Sequence, residues 1–387
     1  MTSPDPQPQA SHTRFRVSRV VLVFISIIAL MHVYIGSRLL PGLSIGVLGW
    51  TIGVTLLALS TLLIPLGMIG RFLGLPQSVA DRMIWIGMLD MGLFSSVLVL
   101  TFARDVALLF SPPPIFVLDS AIGVPILALL ITLVGFVNAR RVPQVVKIDV
   151  PIRDLDPALA GFTIAQISDI HIGATIKGDY VRAIVERVNT LNADLIAVTG
   201  DLVDGSVAQI AEDIAPLASM KSRYGTFVVT GNHEYYSGAE EWVAEYRRIG
   251  MTVLMNEHVV LKHDGAALVV AGVTDFSAHQ FGESQRSDPA SAMAGSPADM
   301  LKIMLAHQPR SADAVEATGV DLQLSGHTHG GQFWPWPLFV QLQQPYTAGL
   351  HRHGRMWVYT SRGTGYWGPP KRFGAPSEIT RIRFMRA

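Results

Sequence analysis

Histidine, aspartate and asparagine residues recur in the second half of the chain, each directly after or at the end of a short apolar run. In chain order they are Asp169, His171, Asp201, Asn232, His233, His307, His327 and His329. Carboxylate, imidazole and amide groups suit hard to borderline divalent metals such as Mn, Fe or Zn. The chain has no cysteine, which excludes thiolate metal sites and cysteine nucleophiles. The residue types therefore predict a metal site with oxygen and nitrogen ligands.

The spacing within these motifs indicates how the side chains could share metals. Asp169 and His171 are two residues apart, and such residues point the same way in an extended segment. His327 and His329 repeat this spacing, although a turn there could send them to different metals. A carboxylate such as Asp201 can offer one oxygen to each of two cations. Two metals about 3.5–4 Å apart can activate a water for attack at phosphorus, and a histidine outside the ligand shell can donate to the leaving oxygen.

Each motif is weak when it is taken alone. An Asp-x-His pair is usually a loop or a cap, Gly200 with Asp201 is a turn, and His307 is the kind of histidine that is usually hydrogen-bonded near a strand end. The segments GNHE at 231–234 and GHTH at 326–329 are more specific. In this order, and all at strand ends, the set is hard to attribute to chance.

The elements that must position these residues alternate along the chain after Pro143. Short apolar runs predict strands at 163–167, 195–199, 226–230, 267–272, 303–306 and 322–324. Amphipathic spacing predicts helices at 180–191, 240–249 and 311–318. The alternation favours an α/β core in which five strands deliver polar residues at their carboxyl ends. Open α/β sheets place their sites at that edge.

The ordered motifs resemble those of a known family. The set SDIH at 168–171, GD at 200–201, GNHE at 231–234, His307 and GHTH at 326–329 resembles the calcineurin-like metallophosphoesterase superfamily. Longer segments resemble its bacterial membrane-associated branch, namely GNHEYY at 231–236, LAHQP at 305–309, SGHTHGGQ at 325–332 and GPPKRFGAPSEIT at 368–380. The resemblance covers roughly residues 148–382. It implies an α/β fold of two packed mixed β-sheets flanked by helices, with the site at the carboxyl ends of the strands.

The resemblance also implies two divalent metal ions and a role for each motif residue. One ion would be held by Asp169, His171, Asp201 and His329, and the other by Asp201, Asn232, His307 and His327. Asp201 would bridge the two ions. His233 would be the catalytic histidine that donates to the leaving group without binding metal, and Asn232 would also touch the phosphate.

Cations further along the chain are additional candidates. Arg362 and Arg372, with Lys371 beside them, could contact a phosphate or a charged headgroup near the site. As solvated surface cations they would need no special role, and both interpretations stay open. Trp334 and Trp336 could line a substrate groove, contact a membrane or simply pack.

Apolar residues are concentrated before residue 140, in four runs long enough to cross a bilayer, which takes about 20 residues. We predict spans at about 18–36, 43–70, 83–103 and 119–139. These spans belong to an N-terminal tail and transmembrane region at 1–143. A catalytic domain at 144–387 follows. A cleavable signal peptide is the alternative for the first run, and the three further spans count against it.

Basic residues are concentrated in alternate loops between the predicted spans. Arg14, Arg16 and Arg19 precede the first span, Arg71 and Arg82 lie between the second and third, and Arg140, Arg141 and Lys147 follow the fourth. The other two loops offer only Arg38 and Arg104. By the positive-inside rule we expect a multi-pass protein of the cell (inner) membrane with a cytoplasmic catalytic domain.

Composition narrows the functions that remain. The 387 residues have a formal net charge of +0, so a strong global field for gathering nucleic acid is absent and no nucleic-acid partner is expected. We expect a membrane-anchored phosphohydrolase that cleaves a phosphoester, phosphodiester or pyrophosphate bond with a dinuclear metal-activated water. Its substrate would be a phosphorylated small molecule or a lipid. The membrane anchor favours the lipid, but only because it would keep the catalytic domain close to the bilayer. The alternative is a membrane sensor or scaffold whose metallophosphoesterase-like domain binds ligand without turnover.

Overall fold

The computed structural model describes residues 19–110 and 113–387, and the described chain begins with four long helices. They are α1 (Arg19–Leu39), α2 (Gly46–Ile69), α3 (Gln77–Leu108) and α4 (Pro114–Arg140). By length and composition all four could cross a membrane. The predicted four-helix region is confirmed. Arg14, Arg16 and the first position of the first predicted span lie outside the described residues.

The third helix extends well beyond the predicted span of 83–103. It has 32 residues, which is about 48 Å at about 1.5 Å per residue, whereas the hydrocarbon core of a bilayer is about 30 Å thick. Charged residues near its ends have partners. Asp81 pairs with Lys177 at 2.9 Å, and Arg104 donates to the carbonyl oxygen of Arg38 at 3.2 Å. Hydropathy decreases at these charges, but the helix continues through them from Gln77 to Leu108.

Glycines bring α2 and α3 into backbone contact. A Cβ added to Gly67 would lie 2.7 Å from the Cα of Gly87. Small residues allow such close approach between membrane helices. Hydrogen bonds connect α1 to these two helices. Ser60 of α2 donates to Asp90 of α3 at 2.8 Å, and its hydroxyl lies 2.8 Å from Nε2 of His32 on α1. The carboxylate of Asp90 therefore has a partner on the neighbouring helix.

After α4 the chain forms two six-stranded sheets. The strands are β1 (Gln144–Ile152), β2 (Thr163–Ile167), β3 (Leu195–Val198), β4 (Thr226–Val228), β5 (Thr252–Val253), β6 (Glu257–His263), β7 (Ala266–Gly272), β8 (Leu301–Leu305), β9 (Leu322–Ser325), β10 (Gly349–His353), β11 (Met356–Thr360) and β12 (Glu378–Arg386). The first sheet has the order β1-β12-β2-β3-β4-β5, and the second has the order β10-β11-β9-β8-β7-β6. Both sheets are mixed. For example, β12 runs parallel to β1 and antiparallel to β2, and β10 runs antiparallel to β11.

The two sheets pack face to face, and helices flank them. The helices are α5 (Gly178–Asn189), α6 (Val207–Ile214), α7 (Asn232–Ser237), α8 (Ala239–Arg248), α9 (Pro289–Met293), α10 (Ala312–Glu316) and α11 (Pro337–Val340). Ile164 and Leu195 of the first sheet share a buried cluster with Leu305 and Leu324 of the second. Trp242 of α8 belongs to a separate cluster on the outer side of the first sheet. The predicted α/β fold of two packed mixed sheets flanked by helices is confirmed.

A loop of the sandwich inserts between the membrane helices. We call residues 368–373 the docking loop. Lys371 donates from Nζ to the carbonyl oxygen of Gly92 at 2.7 Å and to the hydroxyl of Ser96, both on α3. It also donates to the hydroxyl of Thr132 on α4 at 3.3 Å. These three acceptors use the three N–H groups of the ammonium, so the buried charge is solvated by the membrane helices.

Candidate metal centre

The eight motif residues meet at one edge of the sandwich. Asp169 and His171 follow β2, Asp201 follows β3, Asn232 and His233 begin α7 after β4, His307 follows β8, and His327 and His329 follow β9. The edge is where the carboxyl ends of these parallel strands meet. His171 and His329 are 158 positions apart in sequence and lie in contact there.

The first cluster of possible ligands consists of Asp169, His171 and His329. Nε2 of His171 lies 3.0 Å from Nε2 of His329, which lies 3.6 Å from Oδ1 of Asp169. Two ligand atoms that share an ion at about 2.0–2.2 Å are at most about 4.4 Å apart, so these spacings fit a common cation. Burial and the charge of Arg372 lower the pKa of His329, which keeps its ring in the neutral form that binds metals.

The second cluster consists of Asp201, His307 and His327. Nε2 of His307 lies 3.1 Å from Oδ2 of Asp201 and 3.2 Å from Nδ1 of His327. Nδ1 of His307 donates to the carbonyl oxygen of Thr199 at 2.7 Å, which turns Nε2 towards the carboxylate. Burial would lower the pKa of His307, but the charge of Asp201 raises it. The site therefore favours a positive charge at this nitrogen.

Two oxygen atoms complete the arrangement. Oδ2 of Asp201 lies 3.1 Å from Nε2 of His307 and 3.9 Å from Nε2 of His171, so one carboxylate oxygen lies near ligand atoms of both clusters. Oδ1 of Asn232 is buried and has no hydrogen-bond partner among the described residues. A buried acceptor without a partner is costly, and a cation would supply one. The donor set therefore fits divalent metal ions.

Strained backbone is concentrated at these residues. The angle φ is 53° at Asp169, 56° at His171, 52° at Asp201, 70° at His327 and 52° at His329. Left-handed conformations are uncommon outside glycine and cost of order 1–3 kcal/mol each. Backbone contacts hold them here, for example from the amide of His171 to the carbonyl oxygen of Asp201 at 3.2 Å. Such strain is typical of functional sites and not of a packing core.

Glu234, which the sequence analysis did not select, supports the edge from behind. Its carboxylate accepts from the amides of Asp201 at 3.0 Å, Leu202 at 2.8 Å and Gly231 at 2.7 Å. It also accepts from the hydroxyl of Tyr246 at 3.0 Å. Burial and the charge of Asp201 raise the pKa of Glu234 to about 7. Glu234 is the last residue of the GNHE motif, which was the only sign of it in the sequence. The role of Glu234 depends on amides of another loop, those of Asp201 and Leu202.

Asp204 is a second residue that the sequence analysis missed. Its Oδ1 lies 3.2 Å from Nδ1 of His171 and 2.5 Å from Nδ1 of His233. Burial would raise the pKa of Asp204, but the two imidazoles lower it. Burial would likewise lower the pKa of His233, but Asp201 and Asp204 raise it to about 9. Asp204 therefore orients both rings, and its position three residues after Asp201 was the available signal.

A cavity of about 600 Å³ lies between this edge and the membrane helices. We call its site-bearing side the metal wall, which includes His171, Asp201, Asp204, Asn232, His233, His327 and His329. The facing side, which we call the helix wall, consists of Gly67, Met68, Arg71, Ile84, Met88 and Met91. Trp367 and the first two residues of the docking loop, Gly368 and Pro369, also line the cavity.

The two arginines predicted to bind substrate lie behind the metal wall. Arg372 is 1% exposed and donates from Nη1 to the carbonyl oxygens of His329 and Arg362, both at 2.8 Å. Arg362 pairs with Glu378 at 2.9 Å. Neither is among the residues that line the cavity in the described part of the chain. Substrate contact by them stays a prediction, and their protein partners favour a positioning role.

The calcineurin-like phosphoesterase family profile matches residues 162–331, which include all eight motif residues. A metallophosphoesterase of Aquifex aeolicus is 31% identical over 222 residues, which are 57% of this chain and 83% of that protein. The chain belongs to the calcineurin-like phosphoesterase family. The resemblance stated from the motifs is therefore confirmed.

Two further proteins are similar to this calcineurin-like phosphoesterase. A metallophosphoesterase of Helicobacter pylori is 38% identical over 253 residues, 65% of this chain and 66% of that protein. A Bos taurus protein described as a transmembrane protein with metallophosphoesterase domain is 38% identical over 280 residues, 68% of this chain and 63% of that protein. The chain thus spans just under two thirds of these relatives. By length and composition, its four apolar helices are candidate membrane spans.

Proposed function

We propose that this chain is a membrane-anchored phosphohydrolase that cleaves a phosphoester, phosphodiester or pyrophosphate bond with two divalent metal ions. The observation that carries the proposal is the position of Asp201, whose Oδ2 lies near His307 in one cluster and His171 in the other. Mn, Fe or Zn ions held there would polarise the phosphoryl oxygens and make a water nucleophilic at neutral pH. Membership of the family supports the same class of reaction.

Each cluster would hold one ion. The first ion would bind Asp169, His171, Asp201 and His329, and the second would bind Asp201, Asn232, His307 and His327. Both sets combine carboxylate or amide oxygens with imidazole nitrogens, as borderline divalent metals prefer. The backbone strain and the buried support from Glu234 would keep the ligands in place before substrate binds.

His233 would donate the proton to the leaving oxygen. Nδ1 of His233 lies 2.5 Å from Oδ1 of Asp204, so Nε2 of His233 is the nitrogen left to face a substrate in the cavity. The amide of His233 donates to Oδ1 of Asp201 at 2.8 Å, which fixes the histidine beside the carboxylate proposed to bridge the ions. Asn232, at the first position of α7, would contact the phosphate from the same turn. A positioned histidine of this kind contributes roughly 10²–10⁴-fold to the rate.

The test is Mn-dependent hydrolysis of bis(p-nitrophenyl) phosphate by the full chain in detergent. His233→Ala should lower kcat by about 10²–10⁴-fold while the bound metal content is kept. Asp201→Asn should cost at least as much, because it removes the shared charge. Asp264→Asn is the matched control, since Asp264 is exposed, pairs with Arg223 and does not line the described cavity.

The same measurements distinguish the competing functions. Full activity of Asp201→Asn would exclude a bridging role for that carboxylate. A wild-type chain that binds metal but hydrolyses no phosphate ester would favour the sensor or scaffold. The first outcome does not depend on knowing the natural substrate, because the aryl diester reports only the chemistry at phosphorus, and the second requires aryl monoester and pyrophosphate substrates to be assayed as well.

We also propose that the chain lies in the cell (inner) membrane with the catalytic domain in the cytoplasm. The support is the loop charge pattern, in which Arg71 and Arg82 lie on the same side as Arg140 and Arg141. Of the opposing basic residues, Arg38 pairs with Asp105 at 2.8 Å and is partly neutralised. A carboxyl-terminal reporter that is active only outside the cytoplasm should stay silent, and an active reporter would reverse the orientation.

A further inference from the structure

Apart from Arg71, the helix wall is apolar, although the same cavity is lined by a candidate metal centre. Met68 of α2 and Ile84, Met88 and Met91 of α3 supply thioether and hydrocarbon groups to the cavity. The metal wall opposite carries carboxylates and imidazoles. One cavity therefore joins a strongly polar surface to an apolar one, and the two surfaces suit different parts of one ligand.

An apolar wall gives little recognition to a small polar phosphoester. Sites for polar ligands usually place a few hydrogen-bonding groups around the ligand, and the methionine and isoleucine side chains of this wall offer no strong donor or acceptor. Unbranched, polarizable methionine side chains instead adapt to flexible apolar partners. Three of the six helix-wall residues are methionines, which points to a hydrocarbon chain as the group that this wall contacts.

Arg71 adds one positive charge to the helix wall. It lies at the turn between α2 and α3, and its guanidinium stacks 4.7 Å from the ring centroid of Phe72. Among the described residues that line the cavity, the helix wall brings no carboxylate to neutralise this charge. A guanidinium in this position suits the phosphate or another anionic group of a headgroup.

The helices that form the helix wall also carry exposed apolar side chains. Met68 itself is 39% exposed, and Leu66 of α2 and Leu89 of α3 are 39% and 38% exposed. Beside α3, Nε1 of Trp336 donates to the hydroxyl of Ser95 at 3.4 Å, while the tryptophan remains 45% exposed. A hydrocarbon chain could therefore remain beside α2 and α3 between the bilayer and the cavity.

We propose that the helix wall is a hydrocarbon-chain subsite and that the substrate is a membrane lipid with a phosphoester or pyrophosphate group. The phosphorus reaches the metal wall, Arg71 binds an anionic headgroup oxygen, and the chain stays against α2 and α3. In the reaction the oxygen of water bonds to phosphorus, the P–O bond to the leaving group breaks, and a proton ends on the leaving oxygen. This inference rests on the proposed function, because it names the substrate class of the same site.

The test compares two substrates that differ only in chain length. They are methyl and dodecyl p-nitrophenyl phosphate, presented to the full chain in nanodiscs with Mn. We expect kcat/KM to be at least tenfold higher for the dodecyl ester. Met91→Gln places an amide on the helix wall and should reduce this preference at least threefold. Met83→Gln is the matched control, since Met83 lies on the same helix outside the described cavity lining, and it should keep the wild-type ratio.

Comparing variants removes the effect of partitioning, because the dodecyl ester enters the nanodisc to the same extent with each protein. If the wild type hydrolyses both esters equally well, or if both methionine variants keep the preference, the phosphohydrolase stands and the hydrocarbon subsite is wrong. If neither ester is hydrolysed by the metal-loaded protein, the proposed function fails and this inference fails with it.

A second measurement does not require turnover. Dodecyl phosphate with a diazirine at the end of its chain would be photolysed with the Asp201→Asn variant in nanodiscs, and the attached peptides identified by mass spectrometry. Labels are expected on the α2 and α3 residues of the helix wall, and excess unlabelled dodecyl phosphate should reduce them. Labels confined to other lipid-facing helix surfaces would overturn the subsite.

Discussion

The two walls of the cavity are built in different ways. The metal wall takes its side chains from the segments that follow four strands, β2, β3, β4 and β9, and four of its residues have left-handed backbone, namely His171, Asp201, His327 and His329. Backbone amides that donate to buried acceptors such as Glu234 fix its shape. The helix wall takes its side chains from α2, α3 and the turn between them, and the two helices are in backbone contact at Gly67 and Gly87.

Because of this difference, we expect the metal wall to determine the reaction and the helix wall to determine which substrate binds. A strained, hydrogen-bonded wall tolerates few substitutions, since each ligand direction depends on several partners. A packed helical wall tolerates changes in shape and polarity, since no single contact defines it. Lys371 and Arg372 of the docking loop connect the two walls, because Lys371 binds α3 while Arg372 binds the carbonyl oxygen of His329.

Among substitutions that test the difference between the two walls, Arg372→Met is expected to have the largest effect, which is on Mn affinity. The substitution removes the donors that hold the carbonyl oxygens of His329 and Arg362. Supporting residues of this kind typically contribute about 10–100-fold to metal affinity, so Mn affinity measured by calorimetry should fall by that factor. Arg383→Met, at an exposed pair with Asp149, is the control. Unchanged affinity would mean that the docking loop does not support the metal wall.

A smaller effect is expected from Gly87→Leu, which acts on the helix wall alone. The added side chain would meet the backbone of Gly67 and force α2 away from α3, at a cost of about 1–3 kcal/mol. The thermal midpoint and any preference for long-chain substrates should fall, while Mn affinity is retained. Gly123→Leu is the control, because an added Cβ there meets nothing within 4 Å. A parallel loss of Mn affinity would show that the walls are not separable.

The smallest effect is expected from Lys371→Met, and it depends on pH. Burial lowers the pKa of Lys371 from 10.5 to about 8. Between these values the unfolded chain holds a proton that the folded chain has lost, so stability rises with pH across that range. The thermal midpoint of the wild type should therefore rise by a few degrees relative to Lys371→Met between pH of about 8 and about 10. Identical pH profiles would show that burial does not disfavour this charge.

The strands that carry ligands were predictable because they are short, apolar and buried. The strand predicted at 163–167 coincides with β2, and those predicted at 195–199 and 226–230 are β3 and β4 with one or two residues fewer. The eight motif residues could be grouped because each follows or ends such a strand. Here local pattern and tertiary position agree.

Other parts of the structure depend on contacts that no local pattern encodes. β1 alternates apolar residues with Lys147 and Asp149 and pairs with β12, more than two hundred residues later. Asp204 and Glu234 become important only when neighbouring loops bring imidazoles and amides to them. Hydropathy identified α2 and α3 as spans, but not the face that they turn towards the metal wall.

The place of β12 between β1 and β2 has a consequence for biosynthesis. The four apolar helices are made first, and β1 leaves the ribosome directly after α4. At about 5–20 residues per second, β12 follows on the order of ten to fifty seconds later. During that interval the first sheet lacks an inner strand, and the edges of β1 and β2 are unpaired beside a bilayer. Nascent chains are therefore most exposed to strand mispairing in this window.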